Sequence, residues 1–196
     1  MIEKKDLFNF GYITKKLPKS LYENLLDECN KAVIDNDIMI SGLTGKGVPE
    51  HYYVNKNLND LLSFVEETRI EYDNTFPNLG NIKVLSNDVN YFIETPWINL
   101  QKKHEFIPNH THAGIYSYTI WMKIPYNNND RYAGNFEFTY NDITGRIHNH
   151  LIKLTKEDEG AILMFPSKLL HTVYPFYDTD KYRISISGNI VFDVRK

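Results

Sequence analysis

The fold is decided by residues 160–187, GAILMFPSKLLHTVYPFYDTDKYRISIS. Gly160 to Pro166 is an apolar run closed by proline, which reads as a buried strand ending in a turn. Leu169 to Pro175 is a second short run, carrying His171, and Arg183 opens a third. Side chains alternate along an extended chain, so Arg183, Ser185 and Ser187 share one face while Ile184 and Ile186 share the other. A face of one guanidinium and two hydroxyls makes a poor core and a good anchor. A guanidinium grips a carboxylate with two parallel hydrogen bonds, and a hydroxyl two residues on reaches the same group.

Upstream of this stretch, from about residue 82, β-branched and aromatic runs alternate with Asn, Asp, Gly and Pro. Strands are expected at Val89–Ile93, Trp97–Leu100, Ile115–Ile124, Asn135–Tyr140, His150–Leu154, Ala161–Phe165, Thr172–Phe176 and Arg183–Asp193. Short strands at this spacing predict a mainly β (α+β) chain folded as a double-sheet jelly roll. The part before about residue 80 reads as helical and is expected to pack on one sheet, all within a single domain spanning 1–196. Ser20 and Glu23 form a capping-box pattern, with Leu21, Leu25, Leu26, Cys29 and Val33 on one face of the helix that follows. A second helix is expected from Asn57 or Asn59, with Leu61, Val65, Thr68 and Tyr72 as its stripe. Between them, Ser41 to Val48 is no phosphate loop, because Ile40 and Gly47 stand where that motif requires Gly and Ser or Thr.

Composition narrows the chemistry. The hydrophobic share of 42% is a globular value, and a formal net charge of −3 leaves no dominant field for nucleic acid. The Lys15, Lys16, Lys19 cluster reads as a solvated face. No targeting signal is visible, and no run approaches the roughly 18–20 apolar residues of a membrane span. A cytoplasmic protein of a bacterial or phage-infected cell is expected. The one cysteine, Cys29, excludes a disulfide framework and a thiolate zinc site, so any metal must be held by nitrogen and oxygen.

His110 and His112 project to the same side of an extended segment and form one edge of a metal site. His171 lies far enough along the chain to return to the same pocket. His148 and His150 form a second His-x-His that reads as a surface strand end, and His51 and His104 read as exposed. Trp97 is expected in the core. Tyr116, Tyr118 and Trp121 are weak candidates to line a substrate pocket, since strand aromatics are more often core.

Taken together, His-x-His, then Gly-x-x-x-x-Phe-Pro-x-x-x-x-His-x-Val-x-Pro, then Arg-x-Ser resembles the double-stranded β-helix oxygenases that depend on 2-oxoglutarate and iron(II). The similarity is strongest to a bacterial and phage branch that also carries Trp97-Ile98-Asn99 and a Ser-rich strand from Ser117 to Pro125. It covers about residues 97–192. The resemblance implies an iron(II)- and 2-oxoglutarate-dependent dioxygenase that decarboxylates 2-oxoglutarate while oxidising, by hydroxylation, an unidentified substrate such as a protein residue. It implies His110 and His171 as metal ligands and Arg183 as the partner of the far carboxylate of 2-oxoglutarate, with Ser185 as its helper; Asn99 either reaches the co-substrate or satisfies backbone groups. O2 is the other co-substrate.

His112 departs from the pattern, since most of the superfamily has Asp or Glu there. Three arrangements are open. His112 is the third ligand, which is favoured; or it stands behind two ligating histidines; or a carboxylate such as Glu137 completes the site. The tyrosine that often binds the co-substrate has no clear equivalent, because Ile120 and Trp121 occupy that stretch. The competing classes are a cupin-like metalloprotein and a non-catalytic jelly-roll binding protein. Only the oxygenase gives Arg183 a defined task.

Overall fold

The computed structural model of the chain describes residues 11–34, 49–76, 90–127 and 130–193. In chain order these form β1 (Ile13–Lys16), α1 (Lys19–Ile34), β2 (Glu50–Tyr53), α2 (Leu58–Thr75), β3 (Tyr91–Ile93), β4 (Trp97–Gln101), β5 (Ile107–His110), β6 (Tyr116–Lys123), β7 (Phe136–Asn141), β8 (Ile147–Ile152), β9 (Ala161–Pro166), β10 (Leu170–Val173) and β11 (Arg183–Phe192). The larger sheet runs β1-β9-β6-β11-β4-β2, with β3 also paired to β11; the smaller runs β5-β10-β7-β8. Every pairing within them is antiparallel. This is the jelly roll with helices on one sheet that the strand pattern predicts. No helix among the described residues is long and apolar enough to cross a membrane.

Alternation divides the larger sheet into two faces. The outer one, with Ile98, Tyr118, Ile120, Met164 and Ile186, packs on Leu25 and Cys29 of α1 and Leu61 and Val65 of α2. Full burial of each such aliphatic side chain contributes roughly 1.5–3 kcal/mol, so this interface holds the helices in place. Cys29 is wholly buried and burial pushes its thiol far above its ordinary value, leaving a packing residue. The inner face meets the smaller sheet through Trp121, Leu163, Phe165, Phe136 and Phe138.

Several sequence expectations shift. α1 begins at Lys19, so Ser20 lies inside its first turn instead of capping it. α2 begins after Asn57, whose side chain makes no helix-cap hydrogen bond; it donates to Glu28 Oε2 on α1 and to the Asn24 carbonyl. Strands β1, β2 and β5 had no expected counterpart. Each has four residues and lies at a sheet edge, where partners elsewhere in the chain outweigh local periodicity. The loop Ser41 to Val48 lies outside the described residues.

Candidate functional site

β5 and β10 pair so that His110 and His171 stand directly opposite each other, their ring centroids 4.2 Å apart. His112 follows two residues after His110. Its backbone N–H donates to the Ser167 carbonyl at 2.9 Å, which ties its loop to the turn between β9 and β10. Gly114 lets this loop pass close to β11, because a Cβ there would meet the Ile190 carbonyl oxygen at 2.8 Å and Ser167 Oγ at 2.9 Å. The His112 ring lies 5.0 Å from His110 and 5.2 Å from His171. One ligating atom from each of the three histidines lies within 4.8 Å of the other two.

Hydrogen bonding sets the tautomers. His110 Nδ1 lies 2.8 Å from the Pro108 carbonyl and His171 Nδ1 lies 2.9 Å from the Leu169 carbonyl. A carbonyl only accepts, so each Nδ1 carries a proton, and Nε2 is the ring nitrogen left available to a metal. His171 is 3% exposed and walled by Phe136, Phe138 and Phe165. Burial, reinforced by His110, lowers His171 to about 3 and His112 to about 4. Both imidazoles are therefore neutral near pH 7, the form that ligates metal. Three clustered imidazoles suit iron(II).

Glu137 does not join them. It follows Phe136 and precedes Phe138, both of which contact the His171 ring, so its side chain leaves from the opposite face of β7. There it accepts a hydrogen bond from the Tyr174 hydroxyl at 2.9 Å. Among the described residues the cluster contains no carboxylate.

On the facing sheet, β4 and β11 present a polar row. The Asn99 amide donates to Ser187 Oγ at 3.0 Å and Ser185 Oγ at 3.3 Å, and Trp97 Nε1 donates to Asn99 Oδ1 at 3.1 Å. Trp97 is thus half-buried on the inner face, its ring 6.3 Å from His112, instead of sitting in the core. Arg183 is 2% exposed and donates from Nη1 to Gln101 Oε1 at 3.1 Å, while its Nε has no partner. Among the described residues no carboxylate pairs with it. A buried, unpaired guanidinium is costly and creates a strong demand for an anion. A small dicarboxylate fits that demand.

Two of the weak pocket candidates fall away. Tyr116 and Tyr118 stand on the outer face, where Tyr116 donates to Asp73 of α2. They differ in parity from Trp121, so a regular strand cannot show all three to one cavity. His51, expected on the surface, is 8% exposed on β2 opposite Asn99, with an unpartnered Nε2. The aromatic run Glu50-His-Tyr-Tyr53 was the available signal for that strand. His148 and His150 behave as surface strand residues, bonded to Asp142 and to the Tyr12 hydroxyl. His104 is exposed in a turn.

Two antiparallel sheets closed around a polar interior define the double-stranded β-helix class. The family model described as "Putative 2OG-Fe(II) oxygenase" matches residues 95–189 of the chain. Among solved structures it is similar to a Pseudomonas putida prolyl-4-hydroxylase, with a TM-score of 0.63 and 16% identity over 91% of both chains. It is similar to a viral collagen prolyl hydroxylase of Paramecium Bursaria Chlorella virus-1, with a TM-score of 0.57 and 13% identity over 91% of this chain and 94% of that one. A Trichoplax adhaerens prolyl hydroxylase gives a TM-score of 0.59 and 13% identity over 93% and 83%. At these identities the likeness is one of fold. No curated protein matches. Iron(II) and 2-oxoglutarate are the cofactors typical of the family, and the viral enzyme was solved as a 2-oxoglutarate complex.

Proposed function

We propose that the chain couples the decarboxylation of 2-oxoglutarate to hydroxylation of a protein side chain, with His110, His112 and His171 as the metal ligands. What carries this reading is the buried Arg183, paired with no carboxylate among the described residues, on the sheet that faces the three clustered imidazoles. Iron(II) with 2-oxoglutarate supplies the oxidising power when bound, with one atom of O2 going to succinate and the other to substrate.

The protein's part is geometry and exclusion of water. The carbonyls of Pro108 and Leu169 hold the His110 and His171 rings with Nε2 free. Arg183, fixed by Gln101, neutralises the far carboxylate of 2-oxoglutarate, with Ser185 beside it and Asn99 holding the serine hydroxyls in place. Phe136, Phe138 and Phe165 keep the His171 side dry. The helices and the jelly roll share one apolar interface, and we take them as one folding unit. For the prime substrate, the Trichoplax neighbour was solved with a peptide fragment, which is the precedent for a protein side chain.

The test is anaerobic addition of iron(II) and 2-oxoglutarate, followed by visible absorption. A charge-transfer band is expected in the wild type and lost in His110→Ala and His171→Ala. Arg183→Ala should keep the metal and lose the band at moderate 2-oxoglutarate. A band unchanged in Arg183→Ala would overturn the pocket assignment. Candidate peptides are then screened by mass spectrometry for gain of one oxygen.

A further inference from the structure

Arg183 Nε is not the only buried atom on the inner face without a hydrogen-bond partner. Four buried side-chain atoms among the described residues make no hydrogen bond: Arg183 Nε, Trp121 Nε1, His51 Nε2 and the Tyr118 hydroxyl. The Tyr118 hydroxyl belongs to the helix-covered face, and His51 sits two strands away from β11, beyond β4. Trp121 is different. It is 2% exposed, lies on β6 directly opposite Ser185, and so stands on the face and next to the rung that carries Arg183.

The local backbone singles out the same position. The β6–β11 register shifts between Ile184 and Ser185: Ile184 pairs with Lys123, yet Ser185 pairs with Trp121, leaving Met122 as an extra residue. A bulge of this kind re-aims a side chain and increases local twist, and bulges concentrate beside functional sites. An indole N–H is a donor only. Left without an acceptor in a buried site, it forfeits the hydrogen bond it would make to water. A carboxylate oxygen held by the neighbouring guanidinium would satisfy it with a charge-assisted bond.

We propose that Trp121 is a co-substrate-binding residue whose Nε1–H donates to the carboxylate of 2-oxoglutarate that Arg183 neutralises. This rests on the pocket assignment above and adds a donor to it. The indole would stand where a second, neutral donor supplements a single cation, with its ring forming part of the apolar wall made by Phe165 and Phe136.

The chain has only two tryptophans, so a 15N spectrum of the metal-loaded protein without oxygen contains two indole N–H signals, assigned with Trp97→Phe. Titration with 2-oxoglutarate is expected to move the Trp121 signal downfield and slow its hydrogen exchange. Calorimetry on Trp121→Phe should give a Kd for 2-oxoglutarate weaker by about tenfold or more, with metal affinity unchanged. If the Trp121 signal stays in place while 2-oxoglutarate binds and Arg183→Gln abolishes binding, Trp121 is not a ligand and the pocket assignment stands. If Arg183→Gln also binds normally, the pocket assignment itself fails. Should Trp121→Phe fold poorly, the wild-type titration decides alone.

Discussion

His110 and His171 face each other across the β5–β10 pair, and each is held by the carbonyl two residues before it in the chain. The same local device, used twice, thus leaves the Nε2 atoms of both rings available at one point. His112 reaches that point by another route, from a loop hydrogen-bonded to Ser167.

Metal affinity distinguishes a ligand from a supporting residue. Loss of a group that only orients a ligand costs roughly 10–100-fold in affinity. His112→Ala should therefore weaken iron(II) or cobalt(II) binding by more than about 100-fold if His112 ligates. A loss inside the smaller range, measured by competition with a chelator, would move His112 behind the ligands.

The arginine site should trade stability for binding. In the absence of 2-oxoglutarate, Arg183→Met removes a buried charge that has no carboxylate partner among the described residues, and with it that charge's desolvation cost. Urea unfolding should show a midpoint equal to or above wild type. Adding 2-oxoglutarate and metal should raise the wild-type midpoint and leave the variant's unmoved by the co-substrate.

Acid should destabilise the metal-free chain through its buried histidines. His112 and His171 have folded values of about 4 and about 3, below the ordinary 6.5, so the unfolded chain binds their protons more tightly. Their contribution is complete above pH 6.5 and is lost as pH falls, at up to about 1.4 kcal/mol per pH unit for each, until the folded values are reached. Thermal melts between pH 7 and 4 should show this slope, and His112→Asn should reduce it. A variant slope equal to wild type would refute the assignment.

Glu28 should matter for stability without touching the site. Its carboxylate accepts the backbone N–H groups of Asn55, Lys56 and Asn57, and the Asn57 side chain, joining α1 to the start of α2. Glu28→Ala leaves these donors under-satisfied and should cost about 2–4 kcal/mol. That would appear as a drop of several degrees in Tm, with metal and 2-oxoglutarate affinities retained by the folded fraction.

Much of the jelly roll was legible because period-two alternation is a local property of the chain. The strands at Trp97, Ile115, Ala161 and Arg183 begin within a residue or so of where the pattern puts them. The strand around His171 starts earlier than expected and the one around His150 is longer on its N-terminal side. Both lie in the smaller sheet, where turn residues blur the boundaries. The polar row Arg183, Ser185 and Ser187 was equally readable, whereas the four-residue edge strand holding His51 was not.

Composition and spacing alone set the donor chemistry: one cysteine, a His-x-His, a later histidine, and an arginine alternating with serines. Which face turns inward depends on where the helices pack, and that is a property of the folded chain. The tertiary structure alone removed Glu137 from the histidine cluster and brought His51 and Trp121 to the polar face. Those outcomes rest on cross-strand register between residues far apart in the chain, and no local periodicity encodes register.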